Sequence, residues 1–92
     1  MRPIDYSGLP QHMQDTMRLY IEKGIPTGSF TQAFLSNDLM GAMRRADDVN
    51  RNRFFEICSF LANYAPIGCY GSPEHYSEWI KSGGLKGMGV EV

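Results

Sequence analysis

Cysteine and histidine are scarce in this sequence, which has two cysteines, Cys58 and Cys69, and two histidines, His12 and His75. The cysteines show neither the CxxC nor the Cys–His spacing of a zinc site, and two are too few for a disulfide scaffold. The histidines do not form an HExxH pair. We therefore expect no metal, no cofactor and no catalytic centre, and we predict a protein that is not an enzyme.

Phosphate-binding fingerprints and long apolar runs are also missing. The glycines never form GxGxxG, or GxxxxGK followed by Ser or Thr, which argues against dinucleotide-binding and P-loop folds. No stretch approaches the roughly 18 apolar residues of a membrane span, so we expect no membrane partner. Nine Lys plus Arg against ten Asp plus Glu leave a formal charge of −1, which disfavours a surface built for nucleic acid. The expected location is the cytoplasm.

The chain does contain enough apolar side chains for a core, since 42% of its 92 residues are hydrophobic and 12% are aromatic. No window alternates apolar and polar residues as a series of strands would. We therefore predict an all-α fold, a small compact bundle formed by one domain over residues 1–92. A chain this short buries proportionally little surface, which favours assembly into a homo-oligomer.

Apolar residues recur with helical spacing in about five stretches. Pro10 suits the first position of the first helix, and Gly24 suits a left-handed cap at its end. Ser29 and Asn37 offer side-chain oxygens that can cap the next two helices. The predicted helices are 10–23, about 30–36, 38–46, 48–64 and Pro73–Ser82, with an extended lead-in over 1–9 and a flexible tail over 85–92.

The register of the apolar stripe shifts at Asp47. Either one long helix kinks there, or one helix ends and Asp47 caps the next. Two helices are favoured because Asp47 and Asp48 both suit a helix start. Further along, Ser72 and Pro73 combine a capping hydroxyl with a proline in the first turn, which predicts the start of the last helix.

Residues 44–53 form a ten-residue polar segment in which only two residues are apolar. On a continuous helix, Arg44 would pair with Asp48 and Asp47 with Arg51, and the segment would be a solvated face. Alternatively, its four arginines and two asparagines form a binding surface. Arg can recognise phosphate or carboxylate with two hydrogen bonds, and Asn both donates and accepts towards a base edge or a ribose. The sequence leaves both interpretations open.

Three aromatic residues, Tyr70, Tyr76 and Trp79, lie on either side of a Gly-Ser-Pro turn. Aromatic rings near guanidinium groups can stack on a nucleobase. For Tyr76 and Trp79 the favoured interpretation is that they are core anchors, because large aromatic side chains dominate the burial of a small domain. Tyr70 lies in the loop and is the best candidate for exposure.

Nearly the whole chain carries a pattern shared with a known group of proteins. The stretches that carry it are Tyr20-Ile21-Glu22, Gly28-Ser29-Phe30, Asn37-Asp38-Leu39, Arg45-Ala46-Asp47 with Asn50, Ala65-Pro66, Cys69-Tyr70-Gly71-Ser72-Pro73-Glu74, Trp79 and Gly83-Gly84-Leu85. With these stretches the chain resembles small accessory proteins of tailed bacteriophages and prophages, in which Trp often precedes the Gly-Ser-Pro turn where this chain has Tyr70.

The resemblance implies a phage-encoded protein that works in the host bacterial cytoplasm, where small non-enzymatic phage proteins commonly antagonise host defence. The expected function is to bind and sequester a nucleotide-type immune signal without turnover. The alternatives are inhibition of a host defence protein and local binding to DNA. The residues expected to line the ligand site are Arg44, Arg45, Asp47, Asn50, Arg53, Tyr70 and Ser72.

Overall fold

The computed structural model describes residues 4–90, so residues 1–3 of the predicted lead-in and 91–92 of the predicted tail lie outside it. Within this range the chain is all helical and contains no strand, which confirms the predicted fold class. The number of helices is seven instead of about five. They are α1 Gln11–Lys23, α2 Ser29–Leu35, α3 Leu39–Arg45, α4 Asp48–Asn52, α5 Phe54–Asn63, α6 Pro73–Ser82 and α7 Gly84–Gly87, with a short 3-10 helix at Ile67–Cys69 before α6.

The longest helix, α1, is amphipathic as its sequence predicts. Its buried face is formed by Met13, Met17, Tyr20 and Ile21, and it ends at Gly24, which adopts a left-handed conformation with φ +71°. Pro10 directly precedes the helix and is itself buried. Among the helices of residues 4–90, none is both long enough and apolar enough to cross a membrane.

The starts of α2 and α3 differ in detail from the prediction. Ser29 is the first residue of α2 and makes no side-chain cap, because Gly28 holds the capping position. Asn37 was predicted to cap α3, but Asp38 does so: its Oδ1 accepts a hydrogen bond from the Gly41 N–H at 3.0 Å. Asn37 instead forms the turn between the helices, with a positive φ of 63° that asparagine tolerates better than most residues.

The predicted helix 48–64 is interrupted at Arg53, whose φ of −109° and ψ of 16° depart from helical values. The two halves bury different kinds of side chain. In α4 the buried residue is Asn50, whereas α5 buries Ile57, Phe60 and Leu61. The torsions of Arg53 divide the predicted helix into these two halves, and the apolar pattern alone did not predict the division.

Tyr20, Tyr76 and Trp79 form an aromatic core that joins α1 to α6. The rings of Tyr20 and Tyr76 are stacked with centroids 5.3 Å apart, and all three side chains are buried. Their polar atoms are bonded within the chain. The Tyr20 hydroxyl donates to the Cys69 carbonyl at 2.6 Å, the Trp79 Nε1–H donates to the Tyr20 carbonyl at 3.0 Å, and the Tyr76 hydroxyl accepts from the Thr27 N–H at 2.9 Å.

Burial in this core raises the pKa of two groups, the Cys69 thiol and the Tyr20 hydroxyl. It raises the pKa of the Cys69 thiol from its ordinary value of 9.0 to about 12, since the thiolate would be poorly solvated there. The pKa of the Tyr20 hydroxyl is also raised, mainly by burial. Both groups are therefore protonated at neutral pH, and Cys69 behaves as a small apolar residue with an unreactive thiol.

The sequence predicted a mobile or extended piece from residue 85, but the chain forms α7 there and buries Leu85. This helix packs against α1, and the approach is so close that glycine is required. A Cβ added to Gly84 would lie 2.6 Å from the Gly24 nitrogen and 2.7 Å from the Ile21 carbonyl oxygen. Gly84 and Gly24 therefore permit a contact between the backbones of the two helices.

Candidate functional site

The polar segment spans the end of α3, a two-residue connector, α4 and Arg53. Ala46 is extended and ends α3, and Asp47 caps α4 by accepting a hydrogen bond from the Asn50 N–H at 2.8 Å. This confirms that two helices meet at Asp47.

The i, i+4 ion pairs predicted for a continuous helix are not formed. For residues 4–90, the ion pairs present are Asp15 with Arg18, and Glu56 with Arg53, whose carboxylate oxygen and Nε lie 3.5 Å apart. Arg44 and Asp48 are on opposite sides of the break at Ala46, so they lack the geometry of a helical pair. The polar segment is therefore not held together by its own charges.

Asn50 is the buried residue of α4, with 7% of its surface exposed. Its Oδ1 is buried and accepts no hydrogen bond from the described chain. The side chain lines a cleft of about 290 Å³ between α1, α2 and α4, which we name the Asn50 cleft. The residues lining it are His12, Met13, Thr16, Gly28, Ser29, Phe30, Thr31 and Asn50.

Arg45 lines a second cleft, of about 310 Å³, which we name the Arg45 cleft. The guanidinium is held in place by a 3.0 Å hydrogen bond from its Nη1 to the Gly41 carbonyl. Ser29 lines both clefts, so they adjoin at the first residue of α2. The residues lining the Arg45 cleft are Ser29, Gln32, Ala33, Ser36, Asp38, Arg45 and Pro73.

Gly41 brings Asp38 and Arg45 to the same point of α3. A Cβ at this position would overlap the Asp38 carboxylate and lie 2.8 Å from the Arg45 Nη1. The absence of a side chain therefore lets the capping carboxylate and the guanidinium share one end of the Arg45 cleft. The Asp38 carboxylate is committed to the cap, but its negative charge still opposes an anion at this end.

The remaining predicted site residues are dispersed. Arg44 is exposed and lines neither cleft. The Arg53 Nη2 donates to the Gly8 carbonyl at 3.4 Å, and its buried Nε is close enough to Glu56 for an ion pair but makes no hydrogen bond. Asp47 acts as a helix cap. Arg53 therefore connects α4 to the segment before α1, and Asp47 shapes the backbone that presents Asn50.

Tyr70 and Ser72 also line neither the Asn50 cleft nor the Arg45 cleft. Tyr70 is half-buried at a third, mainly apolar cleft of about 170 Å³, where its neighbours include Phe34, Cys58 and Leu61. The Ser72 hydroxyl caps α6 by accepting from the His75 N–H at 3.0 Å, as the sequence predicts. Tyr76 and Trp79 are buried in the aromatic core, so of the two interpretations offered for them the structure supports core anchors.

Sequence reasoning overlooked the residues that α1 and α2 bring to the Asn50 cleft. His12 and Thr16 lie outside the buried apolar stripe of α1, and the sequence predicts Ser29 only as a cap. The available signal was Thr31, a polar residue among the buried apolar residues of α2. A polar side chain within an apolar helix face indicates that a polar partner lies opposite.

The chemistry available at the two clefts is that of hydrogen bonding and one fixed cation. No group of three or more His, Cys, Asp or Glu side chains in residues 4–90 is placed to hold a metal ion. The Asn50 cleft supplies neutral hydroxyl and amide groups with one imidazole, and the Arg45 cleft supplies a guanidinium. Comparison with protein-family models, with curated proteins and with solved structures finds no match to this chain.

Proposed function

We propose that this protein binds a nucleotide-type anion across the Asn50 and Arg45 clefts and holds it without chemical turnover. The observation that carries the proposal is the shared boundary of the two clefts at Ser29. One cleft is lined by neutral hydroxyl and amide residues and the other by a guanidinium, which are the two kinds of group that a nucleotide needs. Each cleft is near the lower size limit of ligand sites, so the ligand would occupy both.

The charges lining the two clefts favour placing the phosphate of a nucleotide in one cleft and its nucleoside in the other. Arg45 is the one Lys or Arg among the residues that line either cleft. Its planar guanidinium can hold a phosphate through two parallel hydrogen bonds, and its bond to Gly41 fixes it before the ligand arrives. We therefore assign the phosphate to the Arg45 cleft and the nucleoside to the Asn50 cleft.

The biological role in the proposal comes from the resemblance to phage accessory proteins. A phage protein that sequesters a nucleotide signal in the host bacterial cytoplasm would silence a defence system that depends on it. Assembly into a homo-oligomer belongs to the same proposal, because several large apolar side chains are exposed. Phe55 is 79% exposed and Ile67 is 84% exposed, and contacts between copies would cover them.

Calorimetry with a panel of cyclic and ADP-ribose-type nucleotides tests the proposal. We expect saturable binding that Arg45→Ala weakens by at least tenfold, because the fixed cation is lost. Arg51→Ala is the matched control, since Arg51 is an exposed arginine of the same segment and lines neither cleft. Far-ultraviolet circular dichroism should show unchanged helicity in both variants.

Asp38→Asn sharpens the same test. Asparagine is as good an N-cap as aspartate, so α3 should remain intact while one negative charge leaves the Arg45 cleft. Anion binding should then become severalfold tighter. Failure of every nucleotide to bind, or equal weakening by Arg45→Ala and Arg51→Ala, would contradict the proposal. A steep loss of DNA binding with salt would support the nucleic-acid alternative.

The second candidate function is inhibition of a host defence protein through an exposed apolar surface. The observation in its favour is the exposure of Phe55 and Ile67, together with Met40 at 67%. Native mass measurement separates this role from self-association. If the particle is monomeric and Phe55→Ser abolishes defence antagonism while nucleotide binding is absent, the protein-inhibitor role is the correct one.

A further inference from the structure

The third cleft, which we name the Tyr70 cleft, lies between α3 and α5 in a part of the chain that carries no charge. The sequence has no charged residue from Leu39 to Met43 or from Ile57 to Pro73, although 21% of the whole chain is charged. The residues lining the cleft are also uncharged. Nucleic acids and other strongly charged partners are bound through opposite charges, so this surface is suited to an apolar partner.

The apolar side chains beside the Tyr70 cleft form one face. On α3, Leu39 lines the cleft, and Met43 is one turn later on the same side of the helix. On α5, Cys58 and Ala62 line the cleft, and Phe55 is one turn before Cys58. We name this surface the α3–α5 face, and its members are Leu39, Met40, Met43, Phe55, Cys58 and Ala62.

The exposed apolar area of the α3–α5 face matches what a dimer needs. Phe55 is 79% exposed, Met40 67%, Leu39 44% and Met43 38%. At about 200 Å² for a fully exposed large side chain, these four offer roughly 450 Å². A standard interface buries about 800 Å² on each partner, and in homodimers about 65% of that area is apolar. The four side chains therefore supply most of the apolar area of an interface with a second copy.

Phe55 and the Tyr70 cleft fit each other in size and in character. The cleft has a volume of about 170 Å³ and is mainly apolar. An apolar cavity of about 150 Å³ is large enough to hold benzene, so the cleft has room for one phenyl ring. Phe55 of the same chain does not fill it, because that side chain is exposed and does not line the cleft.

A two-fold axis turns this ring and this cleft into a closed contact. Phe55 and the Tyr70 cleft are side by side on one face. Rotation by 180° about an axis between them therefore places the Phe55 of each copy over the cleft of the other. A different protein would have to supply both a matching ring and a matching hollow, whereas a second copy carries both.

We propose that the α3–α5 face binds a second copy of this chain about a two-fold axis, with Phe55 of each copy in the Tyr70 cleft of the other. This inference rests on the assembly included in the proposed function, and it adds the surface and the symmetry of that assembly. The Tyr70 cleft shares no lining residue with the Asn50 cleft or the Arg45 cleft, so pairing and nucleotide binding can be measured separately.

Sedimentation equilibrium and native mass spectrometry of the full-length protein, without nucleotide, test the proposal. We expect a particle with an even number of copies. Phe55→Ser should reduce its mass to half or less and raise the dissociation constant of the pair by about a hundredfold or more, because each copy loses an aromatic anchor. Met88→Ser is the matched control, since it changes an exposed apolar side chain at the end of α7.

Ala62→Trp tests the cleft separately from the ring. Ala62 is exposed and lines the Tyr70 cleft, so an indole at this position would occupy the cleft and leave the core undisturbed. This variant should weaken pairing as Phe55→Ser does, although Phe55 itself is unchanged. Circular dichroism should show that all three variants keep the helicity of the unsubstituted protein.

The outcomes distinguish this inference from the proposed function. A monomer, or a particle with an odd number of copies, would overturn the pairing. A mass that survives Phe55→Ser or Ala62→Trp would also overturn it, and the proposed assembly would then use another surface. If the protein is monomeric and Phe55→Ser abolishes binding to a host protein, that protein is the occupant of the α3–α5 face. Failure of every nucleotide to bind would contradict the proposed ligand site and leave the pairing in place.

Discussion

The aromatic core and the Asn50 cleft both bury polar side-chain atoms, and they differ in how those atoms are bonded. In the aromatic core, the Tyr20 hydroxyl and the Trp79 Nε1–H each donate to a backbone carbonyl. In the Asn50 cleft, the Asn50 Oδ1 is buried without a partner. In the first region every one of these polar atoms is bonded within the chain, whereas in the second one acceptor is not.

The comparison shows how one helix can serve two purposes. The face of α1 that carries Tyr20 and Ile21 closes the aromatic core, while His12 and Thr16, nearer its start, line the Asn50 cleft. Buried polar groups are ordinarily bonded, so the unbonded Asn50 Oδ1 of α4 sets the cleft apart from the aromatic core. Substitutions in the two regions should therefore affect different properties.

The largest expected effect is in the aromatic core. Trp79→Ala should lower the free energy of unfolding by about 3 to 5 kcal/mol, because it leaves a cavity and removes the hydrogen bond to the Tyr20 carbonyl. Urea denaturation followed by circular dichroism measures the change. A loss below about 1 kcal/mol would show that the aromatic core does not hold α1 to α6.

Gly84→Ala should have the next largest effect, about 2 to 3 kcal/mol of lost stability. The added methyl would collide with the backbone of α1, and the residue has a left-handed φ of +70°. Gly8→Ala is the control, because a Cβ there would have no atom within 4 Å. Equal stability of the two variants would contradict the close packing of α1 and α7.

Raising the pH should weaken the aromatic core through Cys69. The folded-state pKa of about 12 is above the ordinary 9.0, so between these values the folded protein binds more protons than the unfolded chain. Stability should be nearly constant below about pH 8 and fall as the pH rises further, by about 3 kcal/mol at pH 11. The raised pKa of Tyr20 acts in the same direction from its ordinary 10.0 upwards. Urea unfolding at pH 8 and pH 11 measures the fall, which should be smaller in Cys69→Ala.

The smallest expected effect on stability is in the Asn50 cleft. Asn50→Ala removes an unpartnered group, so the free energy of unfolding should change by less than about 1 kcal/mol. Asp47→Ala, three residues earlier, removes a helix cap and should cost about 1 kcal/mol. If Asn50→Ala were as destabilising as Trp79→Ala, Asn50 would be a structural residue and the comparison would fail.

Much of the helical framework could be predicted because its signals are local. The apolar stripe and terminal glycine of α1, the Asp47 cap and the Ser72-Pro73 start of α6 each depend on residues within a turn or two of one another. The interruption at Arg53 could not be found in this way, because it depends on which side of α4 and α5 meets the rest of the protein. The helix at Gly84 depends on a contact with Gly24, sixty residues away along the chain.

The candidate site, like the helices, was predicted from the sequence only in part. Its polar composition drew attention to residues 44–53, and Arg45 and Asn50 do line adjoining clefts. Tyr70 and Ser72, which are close to each other in the sequence, belong to a different cleft and to a helix cap. Their chemistry grouped Tyr70 and Ser72 with residues 44–53, but packing places them elsewhere.

By itself, the sequence determined that the chain is helical and where most of its helices begin and end, because caps and apolar periodicity act over a few residues. Tertiary structure alone decided that Asn50 would be buried without a partner and that His12, Thr16 and Thr31 would surround the same cleft. Those relations arise when α1, α2 and α4 pack together, since burial and hydrogen-bond partners depend on neighbours that are distant in sequence.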